Sequence, residues 1–265
     1  MKRVSRRYIA SILVCFALVV AACGSSSKPS APTPSSTAKL SGSLNVFAAA
    51  SLTEAFNDEK TGLGASDPGL SLTYNFAGSQ ALVTQIKSGA PADVFASADQ
   101  KNMQKLVDAG LVETPKTFAR NTLEIAVAPG NPKHITGLAD LEKSGVTLVL
   151  EDASVPAGNY ARQAFAKAGL PAPAPASNEL DVKSTLAKLT SGDADAAVVY
   201  VTDVKSAGSK VEGVEIPAGQ NVIATYPIAM IKASKNPTAA QAFVDEIVTG
   251  RGQEALRARG FLAPS

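Results

Sequence analysis

Residues 43–56 read SLNVFAAASLTEAF, and two periodicities meet inside them. LNVFA is a short apolar run of strand composition, whereas LTEAF opens a helical spacing of apolar positions. Between them Ala49, Ala50 and Ser51 form a turn of small residues, with Ser51 where a helix N-cap belongs. The same alternation returns along the chain. LSLTYNFA (70–77) precedes SQALVTQIKSG (79–89), ADVFASA (92–98) precedes DQKNMQKLVDAG (99–110), and VTLVLED (146–152) precedes NYARQAFAKAG (159–169). TLEIAVAPG (122–130) and AAVVYV (196–201) add further strand-like runs. Strands alternating with helices predict βαβ units, an α/β fold and a mainly parallel sheet.

In such sheets ligands bind beyond the carboxyl ends of the strands, where helices start. Four strand-to-helix turns therefore matter most: 48–52 (AAASL), 76–80 (FAGSQ), 155–160 (VPAGNY) and 180–183 (LDVK). Ser79 is placed to cap a helix beginning near Ala81, and Asp181 to cap VKSTLAKL. Ala157 and Gly158 are small enough for close backbone approach. Taken singly, each turn is ordinary, because Ser and Asp cap helices everywhere. Several helix N-termini aimed at one point would form a cage of unpaired N–H groups suited to an anion.

The N-terminus carries a different signal. Lys2, Arg3, Arg6 and Arg7 precede an apolar run from Tyr8 to Val20, followed by Ala21, Ala22 and Cys23. This is the pattern of a secretory signal peptide over 1–22, too short for a comfortable membrane span. Val20-Ala21-Ala22-Cys23 resembles the bacterial lipobox, which implies cleavage before Cys23 and acylation of that cysteine. An ordinary secretory signal and a short membrane anchor are the competing readings. Residues 23–41, rich in Ser, Pro and Thr, bury too little apolar surface to order themselves and read as a tether. With Cys15 in the removed segment, the mature chain keeps one cysteine and no disulfide.

Composition excludes several classes. The chain has 25 basic and 23 acidic residues, and loss of the four signal-peptide cations leaves 21 against 23. No basic cluster follows Arg7, so a nucleic-acid partner is not expected. Cysteine and histidine are nearly absent, which gives no support to direct metal ligation or a bound cofactor.

The order of VFAAASLTEAF (46–56), NFAGSQALVTQIKSGAPADVFASAD (75–99), NTLEIAVAPGNP (121–132), VPAGNYARQAF (155–165), DVKSTLAKLTSGDADAAVVYVTDV (181–204) and YPIAMIK (226–232) resembles the molybdate-binding proteins of ABC transporters. The resemblance covers nearly all of residues 43–262. It implies a periplasmic binding protein type II fold: two Rossmann-like lobes with mixed, mainly parallel sheets, joined by two crossing segments. Lobe 1 would span 42–122 plus 227–265, and lobe 2 would span 123–226. It also implies a monomeric, non-enzymatic receptor on the extracytoplasmic face of the membrane. That receptor would capture molybdate, and tungstate with it, and deliver the anion to a permease and its ATPase. The donors carried over are the hydroxyls of Ser51, Ser79 and Tyr200 and the backbone amides of Ala157 and Val182. Gln80 departs from a serine common at that position, which leaves its contact open.

Rival readings differ in class. A surface hydrolase would need His134, the only histidine, with Ser51 or Ser79, neither of which lies in G-x-S-x-G. A receptor of the same fold for sulfate, ferric iron or a polyamine is the second rival, and sulfate is the most serious of these. A scaffold lipoprotein without ligand is the third.

Overall fold

The computed structural model describes residues 40–265. The signal peptide, Cys23 and nearly all of the tether lie outside the described residues. The fold begins slightly earlier than the tether reading expects, since the first strand starts at Ser41 and the Leu40 amide donates to Asp67 Oδ1 at 2.9 Å.

In chain order the elements are β1 (Ser41–Ala49), α1 (Thr53–Ser66), β2 (Gly69–Ala77), α2 (Ser79–Lys87), β3 (Val94–Ala96), α3 (Gln100–Asp108) and β4 (Lys116–Val127). They continue with β5 (Leu148–Glu151), α4 (Pro156–Lys167), β6 (Ser177–Glu179), α5 (Val182–Thr190), β7 (Ala196–Tyr200) and α6 (Val201–Ala207). β8 (Glu212–Glu215), β9 (Ile223–Met230), α7 (Pro237–Thr249) and α8 (Gly252–Arg259) complete the chain. The strands follow the order β2-β1-β3-β9-β4-β7-β5-β6, with β8 added beside β4.

This is the mixed α/β periplasmic binding protein fold, and the mixture has a simple rule. Every parallel ladder (β1 with β2 and β3, β5 with β6 and β7) joins strands of βα units. Every antiparallel ladder involves β4 or β9. β4 pairs with β9 as far as Thr122, then with β7 and β8 from Leu123 onward. One long strand thus changes partners in its middle. The sheet has two halves, and β4 and β9 are the segments that run between them.

The inner strands are buried on both faces, so they read as continuous apolar runs rather than alternating ones; Val46, Ala48, Val94, Ala96, Val198 and Val199 are fully enclosed. The helices pack one face each. In α2 the buried positions are Ser79, Leu82, Val83 and Ile86, and in α5 they are Val182, Thr185, Leu186 and Leu189, both at helical spacing. In α4 the buried face is small (Ala157, Gly158, Ala161, Ala164) and closes on Phe165, which lets this helix sit tight on β5 and β7.

The capping expectations divide. Asp181 caps α5, its Oδ1 accepting from the amides of Lys183 and Ser184 at 2.9 Å each. Ser51 does not cap α1: residues 50–52 form a 3-10 turn, and the Ser51 hydroxyl pairs instead with Tyr226 OH at 3.0 Å. Ser79 is not a cap either, because α2 starts at Ser79 itself, with Gly78 in the capping position. Its hydroxyl turns to the Ala98 amide, from which it accepts at 3.0 Å. Both serines are thereby released from local work and held by contacts distant in sequence.

Candidate functional site

The four turns converge. Ala49, Ala50 and Ser51 where β1 ends, Ala77, Gly78 and Ser79 where β2 passes into α2, and Ala98 after β3 form one wall of a cavity. Val155, Pro156 and Ala157 at the start of α4, Asp181 and Val182 at the start of α5, and Tyr200 at the end of β7 form the other. The enclosed space, with its mouth, is about 220 Å³. All five positions named from the sequence, Ser51, Ser79, Ala157, Val182 and Tyr200, line it, and all are buried.

Each wall offers donors for a definite reason. A helix leaves its first amides without intrahelical acceptors. In α5 the Asp181 carboxylate takes the amides of Lys183 and Ser184, which leaves Val182 N–H as the amide for the cavity. In α4 Pro156 has no N–H and the Asn159 amide bonds Val155 O at 2.9 Å, so the spare amides belong to Ala157 and Gly158. Gly158 is required by close approach: a Cβ there would collide with the backbone oxygens of Glu151 and Asp152. The first turn of α4 lies directly on the end of β5 because that side chain is missing.

The hydroxyls are poised as donors too. Ser79 Oγ already accepts from Ala98 N–H, so its own proton is free to point elsewhere. Tyr200 OH is buried and makes no well-formed hydrogen bond among the described residues, its one polar neighbour being the Tyr226 hydroxyl. Burial, then the neighbouring Tyr226, pushes its phenol well above the ordinary tyrosine range, so it remains a donor at physiological pH. Tyr200 and Tyr226 meet edge to face with ring centroids 5.8 Å apart, and Phe118 and Phe261 pack on Tyr226 in the same manner. This aromatic floor fixes where the Tyr200 hydroxyl and, through Tyr226, the Ser51 hydroxyl stand.

Among the described residues no lysine, arginine or histidine lines the cavity. Lys183, the nearest cation on α5, is spent on carboxylates: its Nζ lies 2.8 Å from Glu54 and 3.6 Å from Asp203. Behind the second wall Glu151 is fully buried, with no well-formed hydrogen bond to its carboxyl oxygens among the described residues and Thr185 as its polar side-chain neighbour. Burial, assisted by the Asp203 carboxylate, raises its pKa to about 8, so it is largely neutral at pH 7. His134 is exposed, sits in a turn at φ 52°, and does not line the cavity, so no Ser-His pair exists there.

Residues 44–262 match the family described as bacterial extracellular solute-binding protein. The chain belongs to that family. A solute-binding protein of this kind is a receptor and not an enzyme. Among its relatives is the molybdate-binding protein ModA of Mycobacterium tuberculosis, 41% identical over 92% of each chain, and the solute-binding protein described here is a ModA-type member of its family. Solved structures of the same fold include the periplasmic molybdate-binding protein of Azotobacter vinelandii (TM-score 0.72, 19% identical, covering 84% of this chain and 100% of that one). The sulfate-binding protein SubI of Mycobacterium tuberculosis is equally similar in shape (TM-score 0.73, 19% identical, covering 83% and 86%). At that identity the likeness speaks for the fold alone.

Sequence reasoning missed two residues of this solute-binding protein and left the contact of a third open. Tyr226, which holds Ser51, was legible only as part of the crossing segment, and its partner is 175 positions away. Glu151 ended a strand like any other. Gln80, whose contact was left open, reaches Leu180 on the opposite wall.

Proposed function

We propose that this protein captures molybdate, and tungstate as its near-isostere, outside the cytoplasmic membrane and delivers it to an ABC permease with its ATPase. Ser51, Ser79 and Tyr200 donate through hydroxyls, and Ala157 and Val182 through backbone amides. The observation that carries this reading is a cavity built from four strand-to-helix turns and one strand end, rich in donors and free of cationic side chains. Hydrogen bonds to a charged acceptor contribute about 1.5–3 kcal/mol each, so several suffice for tight binding without a counter-charge. Donors on stiff helix starts fix the radius of the cavity, and anion size becomes the filter. The 41% identity to ModA favours molybdate.

The two halves of the sheet act as lobes, 42–122 with 227–265 and 123–226, that close on the anion by bending where β4 changes partners. The lipid on Cys23 and the tether keep the receptor near its permease, raising its effective concentration. Sulfate is the second reading, because a cavity of neutral donors can also hold a smaller tetrahedral dianion. Calorimetric titration separates them: molybdate and tungstate bind, while the smaller sulfate and phosphate bind weakly. Sulfate affinity equal to that of molybdate overturns the size argument and the assignment with it.

A further inference from the structure

Gln80 follows Ser79 on α2, yet it is absent from the lining of the cavity. Its side chain leaves its own wall: Nε2 donates at 2.9 Å to the carbonyl of Leu180, 100 positions away and just before the cap of α5. The direction of this bond follows from chemistry, since the reversed amide would set two acceptor oxygens against each other. The amide also lies folded over Gly78. A Cβ at position 78 would collide with Leu180 O and with both amide atoms of Gln80. Gly78 has φ −58° and ψ 138°, a conformation open to any residue, so only this approach demands glycine there. Gly78, Gln80 and Leu180 form one interlocked contact across the mouth of the cavity.

A second contact crosses between the walls, the Lys183–Glu54 pair, but its side chains are 33% and 31% exposed. Pairs this open to water contribute little and weaken with salt. The Gln80 bond is open to water as well, but it is neutral, and salt does not weaken it in this way.

We propose that Gln80 is a latch: it holds the two walls together over the bound oxyanion and sets the rate of release without touching the anion. This rests on the oxyanion-receptor reading. Release requires the walls to part and the Nε2–Leu180 bond to break, and the same bond is formed in the ligand-free protein. Loss of the latch therefore speeds dissociation and does not slow association. A neutral hydrogen bond contributes about 0.5–1.5 kcal/mol, equivalent to about 2- to 12-fold in the dissociation rate. Because the bond is made to protein, the factor is the same for every anion the cavity accepts.

The test is stopped-flow tyrosine fluorescence on the full chain, with Gln80→Ala, Gly78→Ala and the double variant, using molybdate and tungstate. Gln80→Ala is expected to release each anion about 2- to 12-fold faster with association no slower, and Gly78→Ala, at a residue that also lines the cavity, to release them at least as fast. The double variant should be no faster than the faster single, because both remove one contact. An unchanged release rate in Gln80→Ala overturns the latch, as does a loss that differs between anions, which would make Gln80 a direct ligand. Amide hydrogen exchange of the ligand-free protein supplies an independent arm. Faster exchange at residues 180–184 in Gln80→Ala supports the latch, and unchanged exchange overturns it. If the unaltered protein binds no oxyanion, the functional reading fails while the exchange result still decides the latch.

Discussion

Replacing Tyr200 by Phe removes one oxygen from a fully buried position, and the structure gives the change opposite signs for folding and for binding. The hydroxyl has no partner at good hydrogen-bond geometry among the described residues, only a weak contact with the Tyr226 hydroxyl, and an unsatisfied buried polar group costs about 1–3 kcal/mol. The phenyl ring keeps its edge-to-face contact with Tyr226 at 5.8 Å. The ligand-free variant should therefore melt at the same temperature or higher, at about 2–4 °C per kcal/mol for a domain of this size. Binding should move the other way. Loss of one bond to a charged acceptor is worth about 1.5–3 kcal/mol, or about 10- to 150-fold in Kd for molybdate. Differential scanning calorimetry of the free protein and isothermal titration with molybdate measure the two quantities. Unchanged affinity refutes the hydroxyl as a ligand donor. A melting temperature several degrees lower shows that the hydroxyl supports the fold, and the argument from its lack of a partner fails.

Gly158→Ala places a methyl group against the rigid backbone of Glu151 and Asp152, so the first turn of α4 must lift and carry the Ala157 amide with it. We expect a stability loss of about 1–3 kcal/mol and at least about a tenfold loss of molybdate affinity; thermal melts and calorimetry that show neither remove the close approach from the account. Glu151 predicts a pH dependence. Its folded pKa, about 8, lies above the ordinary 4.5, so the folded state holds a proton that the unfolded state has released. Stability contributed this way is complete below about 4.5 and is lost as pH rises towards 8. Asp203, raised by burial to about 6, and Glu59, raised by burial to about 7, slope in the same direction but finish earlier. Glu151→Gln should therefore flatten the fall in melting temperature between about pH 7 and 8; a slope that persists there in this variant refutes the assignment.

What the sequence showed, it showed because the relevant physics is local. Strand composition followed by helical spacing marks βα units whatever else surrounds them, and Asp181 caps α5 as expected because an N-cap carboxylate finds its amides within three residues. The four turns that line the cavity were legible for the same reason, since the start of a helix is written in the residues beside it. The serines show the limit of this logic. Ser51 and Ser79 carry the look of caps, but Tyr226 and the Ala98 amide compete for their hydroxyls and win, from segments that only the folded chain brings near. The tertiary structure alone decided that Tyr200 makes no well-formed hydrogen bond, that Glu151 is largely neutral at pH 7, and that Gln80 reaches from one wall to Leu180 on the other. Each depends on burial or on a contact between the two halves of the sheet, and both are set by β4 changing partners between Thr122 and Leu123. The residues by themselves determined which helix starts could hold an anion; the crossing strands, by setting the distance between the walls, decided which donors remained free to do so.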